Sequence, residues 1–503
     1  MSQLKLKFKN AKNIYFIGIK GVGMTAVAQI LQAQGKIVAG SDTHEKFFTD
    51  KVLTRAKIKF SEGFAAANLS AKIDLVIRSS AYTVKNNAEV AAAIKRKLPI
   101  MTQAEALAEL FNDKDGIAVC GSHGKTTTSA MLGFVLHKIG LKPTVEVGSS
   151  VPQFGGNAVI GKGKIMVIEA DEYQNKLKLY QPKIVLVNNI DYDHPDFFKT
   201  PARYQKAFAD FVKKVPRTGF VVANFDDKNV KAVCKNIKAK IITYNVIARN
   251  EVTKQSRGIS DKQRDCHVVP RSSGLLAMTE EIKDGFQYFQ IWQGNQDLGE
   301  FKIKLIGEHN VQNATAVIAA CLELKLPLAK IKQALAQFSG TERRMQVLGK
   351  YRGALFIDDY AHHPTEIKAT LSALRARYPK QNIICAFMPH MFSRTKVLLD
   401  DFSKSFDNAD EILILPTYSS ARENKIYEIS EDLVKKIKER CHSRPSRRSE
   451  AKADESSNDI DIKYLSSIKS CADYLKSKVK KQDVVVLMGA GDTFRVWDTL
   501  LSN

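Results

Sequence analysis

The chain lacks the cysteine pairing that a disulfide or zinc framework needs. Its seven cysteines (Cys120, Cys234, Cys266, Cys321, Cys385, Cys441 and Cys471) are scattered over 503 residues without a C-x-x-C pair. That excludes a zinc ribbon and a stapled secreted domain, and sets a reducing, cytoplasmic location as the expectation. No uninterrupted apolar run approaches the roughly 18 residues of a membrane helix. The basic start, "MSQLKLKFKN", has no apolar secretory core. Neither membrane insertion nor export is expected. Acidic residues are also short, 53 against 77 lysines and arginines, which leaves a formal charge of +24. These basic residues run along the whole chain, with no helix-turn-helix, zinc-finger or aromatic RNA-binding signature beside them, so nucleic acid is not an expected partner. Charge alone does not separate a lysine-rich background from attraction of anionic small molecules.

What is present is an ordinary globular composition, 44% hydrophobic and 26% charged, in a chain too long for one core. Apolar runs alternate with helical patterns in three successive units. The first, 1–107, reads "NIYFIGI" as a strand, "GMTAVAQILQAQG" as a helix closed by Gly35, and "KIVAGSD" and "KIDLVIRSS" as further strands. The second, 108–339, contains "GIAVC", "KIMVIEADE", "KIVLVNNID" and "GFVVANFDD"; the third, 340–503, contains "ALFIDDYAHH", "NIICAFMPH", "EILILPTYSS" and "DVVVLMGAGD". This alternation predicts α/β architecture with parallel sheets, in which ligands bind where strands end. Two polar stretches, about 245–281 and about 439–461, break the pattern. They read as surface insertions with little packed structure.

The densest chemistry starts at "AVCGSHGKTTTSA". A Gly-Lys-Thr between a strand and a helix suits phosphate, but Gly121 lies only three residues before Gly124, too close for G-x-x-x-x-G-K-[ST]. Glycines here let backbone N–H groups approach phosphate oxygens, with Lys125 on the outer phosphates and the Thr126 hydroxyl on Mg²⁺. The competing reading is a tight capped turn. In "VIEADE", Glu169 and Asp171 alternate and are expected on one face, where oxygen donors suit Mg²⁺. His194 in "NNIDYDHPD" is either a ligand or a solvated loop histidine. "GIKGVGM" resembles a dinucleotide turn with displaced glycines, and Asp42 ends the next strand where a ribose-binding acid would sit. Asn310 and Asn313 in "LIGEHNVQNATA" are helix caps or ligand contacts. Arg343 and Arg344 are surface charges or phosphate contacts. "DDYAHHPTE" and "PHMFSRTK" crowd titratable groups at strand ends, which points to a site. Six of the ten histidines (His123, His194, His309, His362, His363 and His390) fall inside these motifs, which ties the second and third units to shared chemistry.

Taken in order, "GSHGKTTT", "EADE", "NNIDYDH", "GEHNVQNA", "DDYAHHPTE" and "SRT" resemble the Mur ligases, the ATP-dependent amide-forming family of peptidoglycan synthesis, over nearly the whole chain apart from the two insertions. The family's ATP loop is the shorter G-x-x-G-K-T form. The resemblance implies three domains: a Rossmann-like UDP-binding one, a P-loop-like ATPase and a C-terminal Rossmann-like one. It implies ATP at Gly121, Ser122, His123, Gly124, Lys125, Thr126 and Thr127, with Asn310 on the adenine, Arg344 on the phosphates and Asp359 on the nucleotide side of the third unit. Mg²⁺ would be held by Thr126, Glu169 and His194. Tyr360, His362 and Arg394 would line the amino-acid pocket, while Gly18, Gly21, Gly23 and Asp42 would hold UDP. Lys125, Glu169, His194, His362 and Arg394 are the implied catalytic set. The implied substrates are UDP-N-acetylmuramate and L-alanine, joined through an acyl phosphate. Met391, Met388, Ser149, Gln103 and Tyr173 stand where the family usually has Arg, Gln, Gly, Arg and Ser. A tripeptide-adding ligase, a silent UDP-sugar-binding protein and a nicotinamide dehydrogenase remain as alternatives, and oligomeric state is not readable.

Overall fold

The computed structural model describes residues 3–248, 274–419, 429–442 and 460–502, and its strands form three sheets. In the first, β1 (Asn13–Ile17), β2 (Ile37–Asp42), β3 (Lys59–Glu62), β4 (Leu75–Arg78) and β5 (Ile100–Thr102) run parallel in the order β3-β2-β1-β4-β5. β1 is apolar on both faces because helices cover both; Ile14, Phe16 and Ile17 are buried. The chain moves outward from β1 in one direction and then returns to the other side as β4. That reversal leaves a crevice at the carboxyl end of β1, where Gly18 begins the turn into helix Val22–Ala33.

The second sheet has ten strands in the order β15-β14-β13-β12-β11-β10-β6-β9-β7-β8. Its centre is parallel: β6 (Asp115–Cys120) lies between β9 (Ile165–Glu169) and β10 (Ile184–Val187), with β11 (Phe220–Asn224) beyond. Antiparallel pieces finish both edges, β7 (Thr144–Val151) with β8 (Gly156–Val159), and β13 (Leu275–Lys283) with β14 (Phe286–Gln293) and β15 (Gln296–Ile303). Helices Lys125–Ile139 and Glu308–Glu323 cover one face through Met131, Leu132, Val135, Val317 and Ile318.

The expected insertion at 245–281 is narrower than its composition suggests. Its first residues complete β12 (Lys240–Ala248) and its last ones form β13, paired in parallel from Tyr244↔Leu275 to Ala248↔Thr279. "TEE" in β13 is polar because Thr279, Glu280 and Glu281 line a cleft and are not packed in the core. Residues 249–273 lie outside the described residues. Likewise, the start of the second stretch continues helix Ser430–His442, and Asp461 opens β20 (Asp461–Tyr464).

In the third sheet, β16 (Gln346–Tyr351) is an antiparallel edge on β17 (Ala354–Asp359), followed by β21 (Val484–Met488), β18 (Ile383–Phe387), β19 (Glu411–Ile414) and β20. Cross-unit bonds include Asn157 Nδ2 donating to Val22 O (2.8 Å) and Arg55 Nη1 to Gly155 O (2.7 Å). The third unit reaches the first through Arg495 and Glu45 (3.3 Å). The described cysteines Cys120, Cys234, Cys321, Cys385 and Cys471 are buried and free. No described helix is long and apolar enough to cross a membrane.

Candidate active site

The turn after β6 is shaped by close approach. Gly121 (φ 135°) and Gly124 (φ 76°) occupy backbone regions that side chains avoid. A Cβ on them would sit 2.9 Å from Asn189 O and 2.5 Å from Asn313 Oδ1. Asn189 completes the loop from the next strand end, accepting from Ser122 N through its carbonyl (3.0 Å) and from His123 N through its side chain (2.8 Å). Ser122 Oγ donates to Asp191 O (2.6 Å). Thr127 is buried and, with His123 and Gly124, borders the cleft.

Lys125 opens the helix, and its Nζ folds back to donate to Gly121 O (2.6 Å), Ser122 O (3.0 Å) and Glu172 Oε2 (2.9 Å). Burial pulls its pKa down, but Glu172, Asp171 and Glu169 outweigh burial and hold it above the usual lysine range. Thr126 Oγ1 donates to Glu169 Oε1 (2.9 Å), while Glu169 Oε2 accepts from Gly148 N (2.8 Å). The expected alternation fails at Asp171. β9 ends at Glu169, so period two stops there, and the Asp171 carboxylate turns to Tyr173 N (3.0 Å) and Lys176. Glu172, to which the motif gave no role, is the acid that meets Lys125. His194 sits in the left-handed region (φ 56°), with Nε2 3.6 Å from Glu172 Oε1 and its ring 4.9 Å from Tyr173. Asp171, Glu172 and His194 offer ligand atoms within 4.8 Å of one another.

The third unit closes the site from above. A cleft of about 1110 Å³ between it and the second sheet is lined by His123, Gly124, Thr127, Asn310, Arg344 and Asp359, among others. Asn310 and Asn313 do not cap their helix, whose first residue is preceded by Gly307. Asn310 Nδ2 donates to Ile306 O (2.8 Å), and Asn313 Oδ1 accepts from Thr128 Oγ1 (3.0 Å), buttressing the glycine turn. Arg343 is structural: Nε meets Asp358 (3.2 Å) and Nη2 donates to Gly489 O (2.8 Å). Arg344 faces Glu366 instead (3.7 Å) and lies over the Tyr360 ring. Asp359 is buried, accepting from Ala361 N (2.8 Å) and Met345 N (3.1 Å), and burial raises it to about 6. His362 Nδ1 lies 2.9 Å from Tyr360 O and 3.3 Å from Glu366 Oε2. With two acceptors around Nδ1, the proton belongs there and Nε2 is the basic nitrogen. Burial lowers this imidazole to about 4, so it is neutral at pH 7.

Arg394, expected at the amino-acid pocket, is 2% exposed and clamps an acid of the second unit. Its Nε and Nη2 donate to Asp193 Oδ1 (2.9 Å) and Oδ2 (3.2 Å). Asp193 is pushed up by burial but held well below the usual carboxylate range, first by Arg394. Thr365 Oγ1 donates to Asp191, and His363 Nδ1 is 3.5 Å from the same carboxylate.

In the first unit, Gly18 and Gly21 bracket the turn and Gly23 lies in the helix, against Gln103. Asp42 is committed to that turn, accepting from Lys20 N (2.6 Å) and Thr43 N (2.8 Å). Lys20 is fully buried, with Nζ bonded to Thr43 O (2.9 Å), Glu45 O (3.0 Å) and Asp50 (3.0 Å).

Models of the Mur ligase family match nearly end to end: the catalytic-domain model over residues 13–115, the middle domain over 119–321 and the glutamate ligase domain over 343–491. A UDP-N-acetylmuramate–L-alanine ligase of Desulfitobacterium hafniense is 36% identical across 97% of this chain and 99% of its own. The chain belongs to the Mur ligase family. Solved folds agree: a UDP-N-acetylmuramate–alanine ligase of Thermotoga maritima superposes with a TM-score of 0.74 at 23% identity, covering 98% of each chain. A murein peptide ligase of Psychrobacter arcticus does so at 0.68 and 22%, covering 98% of this chain and 99% of that one. As in other α/β folds, this Mur ligase keeps its polar side chains at the carboxyl ends of its strands, here those of β6, β9, β10 and β17.

Proposed function

We propose that the chain joins L-alanine to the lactyl carboxylate of UDP-N-acetylmuramate, driven by ATP, in the cytoplasmic stage of peptidoglycan synthesis. The full-length similarity to an L-alanine ligase carries this reading. A tripeptide-adding reading rests on fold neighbours that include two murein peptide ligases, and is weaker.

A carboxylate is a poor acylating agent because its leaving group would be oxide. Transfer of the γ-phosphoryl group of ATP to it gives an acyl phosphate, which the neutral amine of alanine attacks, and phosphate departs. Negative charge builds on the phosphoryl oxygens in both steps, so cations fixed beforehand lower the barriers. Lys125 and the N–H groups of its loop serve the phosphates, and Arg344 approaches from the third unit. His362, neutral at pH 7, offers Nε2 as a hydrogen-bond acceptor that can orient the nitrogen of alanine. Lys20 and Asp42 shape the turn proposed for UDP.

The acids that follow the glycine loop fit a divalent cation. Thr126 and Glu169 supply adjacent oxygens, while His194, whose buried Nδ1 has no hydrogen-bond partner, groups with Asp171 and Glu172. Bound there, Mg²⁺ would neutralise phosphate charge. Gly148 then has a role of its own, since a Cβ on it would lie 2.6 Å from Glu169 Oε2. Gly148→Ala should displace that carboxylate and raise the Mg²⁺ concentration for half-maximal activity by about 10-fold, as losing a contact that orients a ligand does. A magnesium titration of turnover reads this, and an unchanged midpoint would remove Glu169 from the site.

The deciding assay is phosphate release from ATP with UDP-N-acetylmuramate and each of L-Ala, L-Ser, Gly and the tripeptide. L-Ala should give the highest kcat/KM. Preference for the tripeptide would replace this reading with the recycling one, and no release with any acceptor would leave a binding protein.

A further inference from the structure

Glu366 has no part in the reaction set out above, yet its two oxygens serve different masters. It lies near the start of helix Pro364–Arg377. Oε2 does the local work, accepting from His362 N (3.0 Å) and His363 N (3.3 Å) as half of a capping box, and lies 3.3 Å from His362 Nδ1. A residue present only to cap a helix needs nothing more. Oε1, however, reaches out of the domain to His123 Nδ1 in the glycine loop (3.2 Å) and lies 3.7 Å from Arg344 Nη1. The side chain is 11% exposed, so these contacts act at low dielectric.

We infer that Glu366 is a positioning residue: one carboxylate aligns His123 and Arg344 with the ATP phosphates and His362 with the incoming amine, so that docking of the third domain assembles both half-sites together. This rests on the ligase reading above. The charges around it support the geometry. His123 faces Asp191 (3.3 Å) on one side and Glu366 on the other, and its ring lies 4.7 Å from that of His363. Burial disfavours its cation, but Asp191 and Glu366 raise it to about 9. Glu366 itself faces His123, His362, His363 and Arg344, with Asp359 as the nearby like charge. An imidazolium therefore stands in the ATP loop at neutral pH, and each flanking acid extends its range toward alkaline pH.

Glu366→Gln tests this, because the amide oxygen still caps the helix while the charge is gone. Turnover should fall by up to about 10²-fold, the scale of a small misplacement, with the Kd for UDP-N-acetylmuramate and the melting temperature unchanged. The alkaline limb of the kcat/KM profile for ATP should move down by about one pH unit, as loss of one close opposite charge does. An unchanged profile, or a loss that follows melting temperature alone, would overturn the inference. Should Glu366→Gln fold poorly, His123→Gln removes the partner of Oε1, and persistence of the alkaline limb in that variant would equally overturn it. If the wild-type chain turns over no acceptor, the ligase reading fails by itself. Calorimetry with a non-hydrolysable ATP analogue at about pH 7 and about pH 9 then still decides: both proteins should bind at the lower pH, and Glu366→Gln should weaken more than wild type at the higher. Identical binding by both proteins at both pH values would end the proposal.

Discussion

Lys125→Ala is expected to cut phosphate release by at least about 10²- to 10³-fold, the cost of losing one preorganised charge contact on a transition-state oxygen. Three acceptors hold the ammonium at the mouth of the glycine loop before any nucleotide arrives. Those bonds use all three of its N–H donors, so one must turn to the nucleotide, but the charge itself is already in place when phosphate charge develops. The substitution also strips Glu172 of its cation while that carboxylate remains 1% exposed, leaving an acid where the phosphates are proposed to lie. Both consequences weaken ATP. Neither reaches the first sheet, where the turn at Gly18 is tied to Ser41 O and Asp42. UDP-N-acetylmuramate should thus bind Lys125→Ala with the wild-type Kd by calorimetry while turnover is lost. Retained turnover would remove Lys125 from the phosphate site, and a parallel loss of UDP-sugar binding would mean that the two domains are not independent.

How much of this could be read beforehand follows from what each element displays in sequence. Buried parallel strands such as β6, β10 and β21 are continuous apolar runs ending in polar residues, so both their existence and their functional end are visible. The end of β12 and most of β13 read as an insertion because the cleft-lining residues of β13 are polar and a long stretch separates the two strands. Antiparallel edge strands carry the same weakness, since half their residues face water. Residues tied to the loop by local sequence, Lys125 and Thr126, stood out at once. Glu172 did not, because a two-residue offset beyond the end of β9 decides which acid meets the lysine, and strand alternation no longer applies there. Asp191, Asp193 and Glu366 were inside quoted motifs but lacked roles. Their partners, His123 and Arg394, lie as far as 243 residues away, from Glu366 to His123, and only folding brings them together. Asn189 holds the loop through its backbone carbonyl as well as its side chain, and for the carbonyl a sequence carries no side-chain signal.

The Arg394–Asp193 pair leads to a prediction of opposite character, in which a second mutation repairs the first. Arg394 is 2% exposed and its side chain meets a carboxylate 7% exposed, one from each domain. Removing one member of such a pair is far costlier than removing both, because the survivor is a desolvated charge without a partner. Arg394→Ala should therefore weaken domain docking by about 3–5 kcal/mol and reduce kcat by about 10²-fold or more, through loss of the aligned half-sites. Asp193→Asn alone strands the guanidinium and should be of similar severity. The double variant should be less impaired than either single one, a coupling that a cycle of kcat/KM values and of thermal transitions measures directly. Additive effects would mean that Arg394 meets the amino acid independently and touches Asp193 only incidentally. Strong coupling in turnover together with an unchanged KM for L-alanine would make Arg394 the bolt between the domains, and would leave recognition of the alanine carboxylate to other groups around Tyr360 and His362.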